Sequence, residues 1–79
     1  MKSWFVYIVE CSDGTFYTGI TDDLDSRIEA HNSGKGAKYT KGRGPVVLRF
    51  VESVKGRSEA TKREFQIKKM KRGMKIQLW

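Results

Sequence analysis

Cysteine and histidine are nearly absent from this sequence: its 79 residues contain one Cys and one His. A disulfide framework needs pairs of cysteines, and a structural zinc site needs about four Cys or His ligands. Both kinds of cross-link are therefore excluded within the chain. A domain this small is near the lower size limit for a stable core, so it must bury nearly all of its large apolar side chains.

Long apolar runs are also missing. The apolar stretch that begins at Trp4 ends before Glu10, far short of the ~20 residues that a membrane-spanning helix needs. Placed after Met1-Lys2-Ser3, it also makes a poor signal peptide. We therefore expect a single soluble domain over residues 1–79, located in the cytoplasm and not associated with a membrane.

Acidic residues are scarce in the second part of the chain. Residues 1–32 carry two basic and six acidic side chains, whereas residues 33–79 carry fourteen basic and three acidic ones. The whole chain has a net charge of +7. A basic segment of this size favours a polyanionic partner, most often nucleic acid, although it also serves solubility.

Hydrophobic patterning predicts a hairpin at the start of the chain. Residues 4–11 are aromatic and β-branched, which is typical of a strand, and their apolar character on both faces indicates a central one. Ser12-Asp13-Gly14 is a turn signal, and residues 16–21 form the returning strand.

The rest of the chain alternates between helix and strand. The spacing of apolar residues predicts a helix over 23–32 and a third strand over 46–54. A second helix is predicted from Ser58 to about Arg72, stopped by Gly73, and the remaining residues form either another helical turn or a tail. The order β-β-α-β-α predicts a small α/β (α+β) fold with a mainly antiparallel three-stranded sheet covered by helices.

The length of the hairpin loop decides which side chains share a face of the sheet. A two-residue loop at Asp13-Gly14 would put Tyr7 and Tyr17 on opposite faces. A three-residue loop with Gly14 in the left-handed conformation pairs Tyr7 with Gly19 and puts both tyrosines on one face. We prefer the second register because it collects a coherent apolar set on the other face: Trp4, Val6, Ile8, Phe16, Thr18 and Ile20. Gly19 would then leave an open patch of backbone suited to a ligand.

Three polar residues occupy notable positions on the predicted helices. Glu64 falls on the inward stripe formed by Ala60, Glu64, Ile67 and Lys71, where a carboxylate must be paired with a basic side chain or bind a cation such as Mg²⁺. Arg27 and His31 are four residues apart and share a helix face. Taken alone, Arg27 is better explained by a surface pair with Asp23, and His31 by an exposed or capping histidine near the helix end, than by a function.

The segment 33–45 holds four glycines and four basic residues. It is long for a loop in a domain of this size, and such loops tend to be functional.

In their order along the chain, these residues resemble the GIY-YIG nuclease superfamily over essentially the whole sequence. The matching elements are Val6-Tyr7-Ile8, Tyr17-Thr18-Gly19, Arg27 with His31, and Glu64. Segments 17–21 and 33–40 are similar to those of the small stand-alone members of the UPF0213 type. The family fold is a three-stranded antiparallel sheet flanked by helices, in agreement with the patterning.

The resemblance implies metal-dependent hydrolysis of DNA phosphodiester bonds. It implies that Tyr7 or Tyr17 acts as general base beside His31. Arg27 would bind the non-bridging oxygens, and Glu64 would hold one Mg²⁺ or Mn²⁺.

We expect weak sequence specificity, because the larger nucleases carry a separate targeting domain that is not expected here. Branched or single-stranded DNA is the candidate substrate, and repair or recombination the candidate setting. Four basic loop residues would hold the flanking backbone: Lys35, Lys38, Lys41 and Arg43.

The sequence departs from the family pattern at several positions. Phe5 and Val6 replace the Gly and Ile of the first motif, and Thr18 replaces the middle Ile of the second. Ile20 stands where some members have lysine, and no asparagine follows Asn32. Two alternatives therefore stay open: a nucleic-acid-binding module with this fold but little turnover, and a basic interaction domain for a protein or ribosomal partner.

Overall fold

The computed structural model describes residues 3–33 and 45–78. The elements in chain order are β1 (Trp4–Glu10), β2 (Phe16–Thr21), α1 (Leu24–Asn32), β3 (Val47–Val54), α2 (Arg57–Lys68) and α3 (Arg72–Ile76). The three strands form one antiparallel sheet in the order β2-β1-β3. This confirms the predicted fold class and the central position of β1. No helix within the described residues is long and apolar enough to cross a bilayer.

The hairpin has the three-residue loop. The Cys11 amide donates to the Thr15 carbonyl at 2.8 Å, and the Gly14 amide donates to the Cys11 carbonyl at 2.9 Å. Gly14 has a φ of 85°, the left-handed conformation that glycine adopts without steric cost. The strand pairing agrees with this loop, since Tyr7 lies opposite Gly19 and Val9 lies opposite Tyr17.

This register gives the sheet two different apolar faces. The face under α2 is built from Val6, Ile8, Ala60 and Ile67, with partly buried Trp4, Phe16, Ile20, Phe50, Val54, Met70 and Leu78. The face on the α1 side is built from Tyr7, Val9, Cys11 and Val46, with Tyr17, Leu24 and Ile28. Because β1 is covered on both sides, its residues 6–9 are all buried.

Short polar contacts anchor both ends of α1. The Asp23 amide donates to Thr21 Oγ1 at 3.0 Å, and the Asp23 carboxylate accepts from the Ser26 amide at 3.3 Å, as an N-cap does. At the other end, Asn32 Oδ1 accepts from the Val46 amide at 2.6 Å. The residue that precedes β3 is thereby attached to the end of α1.

The second helix differs from its predicted bounds. It begins at Arg57 rather than Ser58, because Gly56 is the N-cap and its carbonyl accepts the first helical bond, from the Ala60 amide. It ends at Lys68 rather than near Arg72. Lys71 has extended backbone (φ −70°, ψ 158°), which interrupts the helix and starts α3.

The break after Lys68 also changes the predicted inward stripe. Lys71 is exposed and lies beyond α2, whereas Met70 packs against the core. Gly73 lies inside α3 and does not stop a helix. The Arg72 guanidinium sits 4.3 Å from the centre of the Phe16 ring and donates to the Gly14 carbonyl, which attaches α3 to the hairpin.

Gly19 does not leave an open patch for a ligand, so that prediction is wrong. A Cβ atom at Gly19 would lie 2.5 Å from Tyr7 Oη and 2.7 Å from Tyr7 Cζ. The space above the glycine is occupied by the ring of Tyr7, which is 1% exposed. Glycine is required here because the phenol crosses directly over its backbone.

We expect Gly19→Ala to lower the free energy of unfolding by about 1–3 kcal/mol, because the new methyl group overlaps a buried ring. Gly73→Ala is the matched control. Its Cβ meets nothing within 4 Å and it lies in a helix, so it should be neutral or stabilising by roughly 0.5–1 kcal/mol. Urea denaturation of the two variants measures the difference. Equal midpoints would contradict the assigned role of Gly19.

Candidate active site

A cleft of about 310 Å³ opens at one corner of the sheet, where β1 begins and β2 ends. Its walls come from Trp4, Tyr7, Tyr17, Ile20, Thr21, Asp22, Arg27, Arg57 and Glu64. The two tyrosines belong to the α1 face, whereas Ile20 and Glu64 belong to the α2 side. Side chains from both faces therefore meet around the free edge of β2.

Tyr7 and His31 form the buried part of the site. Tyr7 Oη lies 2.8 Å from His31 Nε2, and His31 is 1% exposed. The His31 ring also packs edge-on against Tyr17, with ring centres 5.3 Å apart. His31 is therefore not an exposed residue at a helix end. It lies behind Tyr7, which separates it from the cleft.

The electrostatic surroundings keep both members of this pair neutral at pH 7. Burial raises the pKa of the Tyr7 phenol, and the nearby Tyr17 and Glu64 raise it further, while Arg27 acts in the opposite direction. Burial also lowers the pKa of His31, and the positive charge of Arg27 lowers it further. The positive charge of Arg27 favours the ionised phenol, but burial outweighs it and the pKa of Tyr7 stays raised.

Arg27 projects from α1 to the cleft and is exposed. The carboxylate of Asp23 caps α1 instead of pairing with it. Among the residues that the structure describes, no carboxylate forms an ion pair with Arg27. Its guanidinium can therefore bind an anion that enters the cleft.

Glu64 reaches the cleft from α2 with its side chain 21% exposed. Its Oε2 lies 3.3 Å from Nζ of Lys68, one helical turn further along, and that lysine is 52% exposed. An i,i+4 pair of this kind contributes only about 0.3–0.5 kcal/mol, so a stronger cation can displace the lysine.

The donor set of the cleft suits one weakly held divalent ion. Within residues 3–33 and 45–78, no three His, Cys, Asp or Glu side chains come together as a metal cluster. Glu64 and Asp22 are the carboxylates that line the cleft. Mg²⁺ keeps several of its waters and is commonly held by one or two carboxylates and substrate phosphates. A single ion on Glu64 fits this chemistry, whereas a closed protein cage does not.

The four basic residues expected to hold DNA in the loop, Lys35, Lys38, Lys41 and Arg43, lie outside the described residues.

Five residues that line the cleft were not predicted as part of a site: Trp4, Ile20, Thr21, Asp22 and Arg57. Trp4 and Arg57 are the large side chains among them. Trp4 was expected only in the core, and the strand register that pairs Phe5 with Thr21 could have placed it at the same corner as Asp22. Arg57 carries no sequence signal of its own, because its place depends on where α2 crosses the sheet. Its guanidinium carbon lies 5.8 Å from the centre of a Trp4 ring.

Residues 3–77 match the family described as the GIY-YIG catalytic domain. This shows that the chain belongs to the GIY-YIG family of nuclease-type domains.

Proteins of similar sequence indicate the subgroup of the family that this chain resembles. The chain is 54% identical over 74 residues to a UPF0213 protein of Halobacterium salinarum, covering 94% of this chain and 96% of that protein. A UPF0213 protein of Staphylococcus aureus is 54% identical over 78 residues, and the match covers 99% of this chain and 95% of that protein.

Two solved structures are similar as well. The solution structure of a UPF0213 protein of Bacillus halodurans shares 49% identity, with a TM-score of 0.61 and coverage of 96% of this chain and 81% of that one. The solution structure of a protein of E. faecalis shares 44% identity, with a TM-score of 0.66 and coverage of 98% of this chain and 82% of that one.

The neutral state of His31 predicts how stability depends on pH. A histidine whose pKa is lowered in the folded protein binds its proton more readily when unfolded, so the free energy of unfolding should fall as the pH drops below about 6.5. Because His31 is the single histidine, its NMR titration is unambiguous and should have a midpoint below 6.5. In His31→Gln, the free energy of unfolding should fall less between pH 7.5 and 5.5, because the contribution of the histidine is removed. A midpoint at or above 6.5 would be incompatible with the buried neutral imidazole.

Proposed function

We propose that this protein is a divalent-metal-dependent endonuclease that hydrolyses DNA phosphodiester bonds with little sequence specificity. The observation that supports this most directly is the cleft itself, which joins two tyrosines, an arginine and a carboxylate from four different elements. A base, a phosphate-binding cation and a metal ligand are the groups that phosphodiester hydrolysis requires.

Tyr7 is the better placed of the two tyrosines to act as general base. Its hydroxyl accepts the proton of the attacking water while its own proton passes to Nε2 of His31, 2.8 Å away. Because burial raises the pKa of Tyr7, this transfer avoids a free phenolate. It requires His31 to be neutral with its proton on Nδ1, and the lowered pKa of His31 keeps it neutral at pH 7.

Arg27 binds the non-bridging oxygens of the scissile phosphate, where negative charge increases in the transition state. Glu64 is the residue that holds Mg²⁺ or Mn²⁺. When bound, such an ion supplies Lewis-acid stabilisation of the phosphate and leaving oxygen. Its positive charge would also offset the Glu64 charge that raises the pKa of Tyr7.

A DNA-binding module with little turnover is the second candidate. Ile20, which lines the cleft, stands where some family members have lysine, so one basic group is missing from the site. Cleavage of labelled branched and single-stranded DNA with Mg²⁺ and with Mn²⁺ separates the two candidates. Binding without metal-dependent cleavage would favour the module.

Glu64→Gln should abolish metal-dependent cleavage, because an amide oxygen lacks the charge that holds a divalent ion. Glu59→Gln is the matched control, since Glu59 is exposed on the same helix and should leave cleavage unchanged. Paramagnetic broadening by Mn²⁺ provides a readout that does not depend on activity. It should centre on Glu64 in the native chain and be lost in Glu64→Gln. Broadening confined to Asp22–Asp25 would count against the site.

Tyr7→Phe should lower kcat by about 10²–10⁴-fold, because it removes the general base. Tyr17→Phe should have a smaller effect, since it is the Tyr7 hydroxyl that lies within hydrogen-bonding distance of His31 Nε2. Single-turnover cleavage rates compare the two variants at equal DNA saturation. A larger loss in Tyr17→Phe would reassign the base to Tyr17.

Charge reversal in the loop, Lys35→Glu with Lys38→Glu, should weaken DNA binding equally for all sequences. Each phosphate neutralised by the protein contributes about −0.9 to the slope of log affinity against log salt, so the slope should also become flatter. Fluorescence anisotropy over a salt series measures both quantities. A folded double mutant with unchanged affinity would show that this charge serves another purpose.

A further inference from the structure

Trp4 gives the cleft a surface that phosphate chemistry does not use. Its side chain is partly buried against the core and also lines the cleft beside Ile20. An aromatic face favours a planar, polarisable partner such as another ring or a guanidinium. In proteins that bind single-stranded nucleic acid, exposed aromatic rings stack on bases.

The Arg57 side chain lies above this indole at an unusually large distance. Within the described residues, two other cations sit close over rings, Lys69 over Phe65 and Arg72 over Phe16, each 4.3 Å from the ring centre. Arg57 stands 5.8 Å from the Trp4 ring, near the ~6 Å limit of a cation–π contact. Of these three pairs, the one at the cleft therefore has the largest distance between the cation and the ring.

Arg57 is also a surface residue. It is exposed at the first residue of α2. No carboxylate of the described residues pairs with its guanidinium. A small shift of this side chain would widen the gap above the indole enough to admit a planar ring, and the guanidinium could then stack on the outer face of that ring.

We propose, building on the nuclease function above, that Trp4 and Arg57 form a nucleobase-binding subsite beside the scissile phosphate. One base stacks on the Trp4 indole, with the Arg57 guanidinium against its other face. The cleft volume of about 310 Å³ lies at the lower end of the ~300–1,000 Å³ typical of small-ligand sites, which suits one nucleotide rather than a duplex. Paired bases are already stacked on both faces, so the subsite selects DNA with an unpaired nucleotide at the cleavage position.

The test compares two single-stranded oligonucleotides that differ only in their bases. One is an ordinary mixed-sequence strand, and the other has the same number of phosphates but abasic sugars in its central part. Binding is measured in EDTA, so that no cleavage occurs. A Trp79→Phe background leaves Trp4 as the single tryptophan of the chain, and its fluorescence then reports stacking directly.

The intact strand should quench Trp4 fluorescence and bind about 5- to 100-fold more tightly than the abasic strand, as expected for one stacked base. Trp4→Phe, tested by anisotropy, should retain much of this preference, because it keeps an aromatic face. Trp4→Leu should remove the preference. Arg57→Gln should reduce it, whereas Arg72→Gln, which alters a cation–aromatic pair outside the cleft, should not.

Two outcomes would overturn the subsite, and they are distinguishable. Equal, salt-dependent affinity for intact and abasic strands would refute the subsite while leaving the nuclease proposal in place. Absence of binding to either strand, together with absence of cleavage, would refute the nuclease function and the subsite with it. If Trp4→Leu does not fold, the abasic comparison and Arg57→Gln still decide.

Discussion

The close crossing of Tyr7 over Gly19 is the constraint on which the site depends. The absence of a Cβ lets the phenol lie against the neighbouring strand, within 2.8 Å of His31 Nε2. The same crossing carries the hydroxyl toward the free edge of β2, where Glu64 arrives from the other side of the sheet. A side chain at position 19 would separate the phenol from its histidine partner. A local steric requirement thus sets the chemistry of the cleft.

Much of this arrangement could be predicted from the sequence, because strand geometry propagates from the turn. Once Ser12-Asp13-Gly14 is assigned as a three-residue loop, the period-two alternation of a strand places Tyr7 and Tyr17 on one face and the apolar set on the other. That Glu64 lies beside the tyrosines was harder to predict from the residue pattern, because it requires knowing that α2 packs near the edge of the sheet. The helix bounds failed where backbone conformation at Gly56 and Lys71, rather than side-chain preference, decided them.

The prediction of an open patch of backbone at Gly19 was wrong, and the prediction of Trp4 as a core residue was incomplete. Both have the same physical reason. A register states which residues are neighbours, but not which side chain fills the space between them. Tyr7 is long enough to fill the gap over Gly19 itself. Trp4 is large enough to contribute to the core with part of its ring and to the cleft with another part. Large aromatic side chains can serve two surfaces at once, and one-letter patterns assign them only one.

The hydrogen bond from the Val46 amide to Asn32 Oδ1, at 2.6 Å, has a consequence for how relatives of this protein can diverge. It joins the end of α1 to the residue that precedes β3, so it holds together the two described positions on either side of residues 34–44. Insertions, deletions or exchanges of charge within residues 34–44 therefore need not disturb the register of the sheet or the crossing of Tyr7 over Gly19. The sheet that holds the cleft and the segment proposed to meet the substrate backbone can then evolve independently.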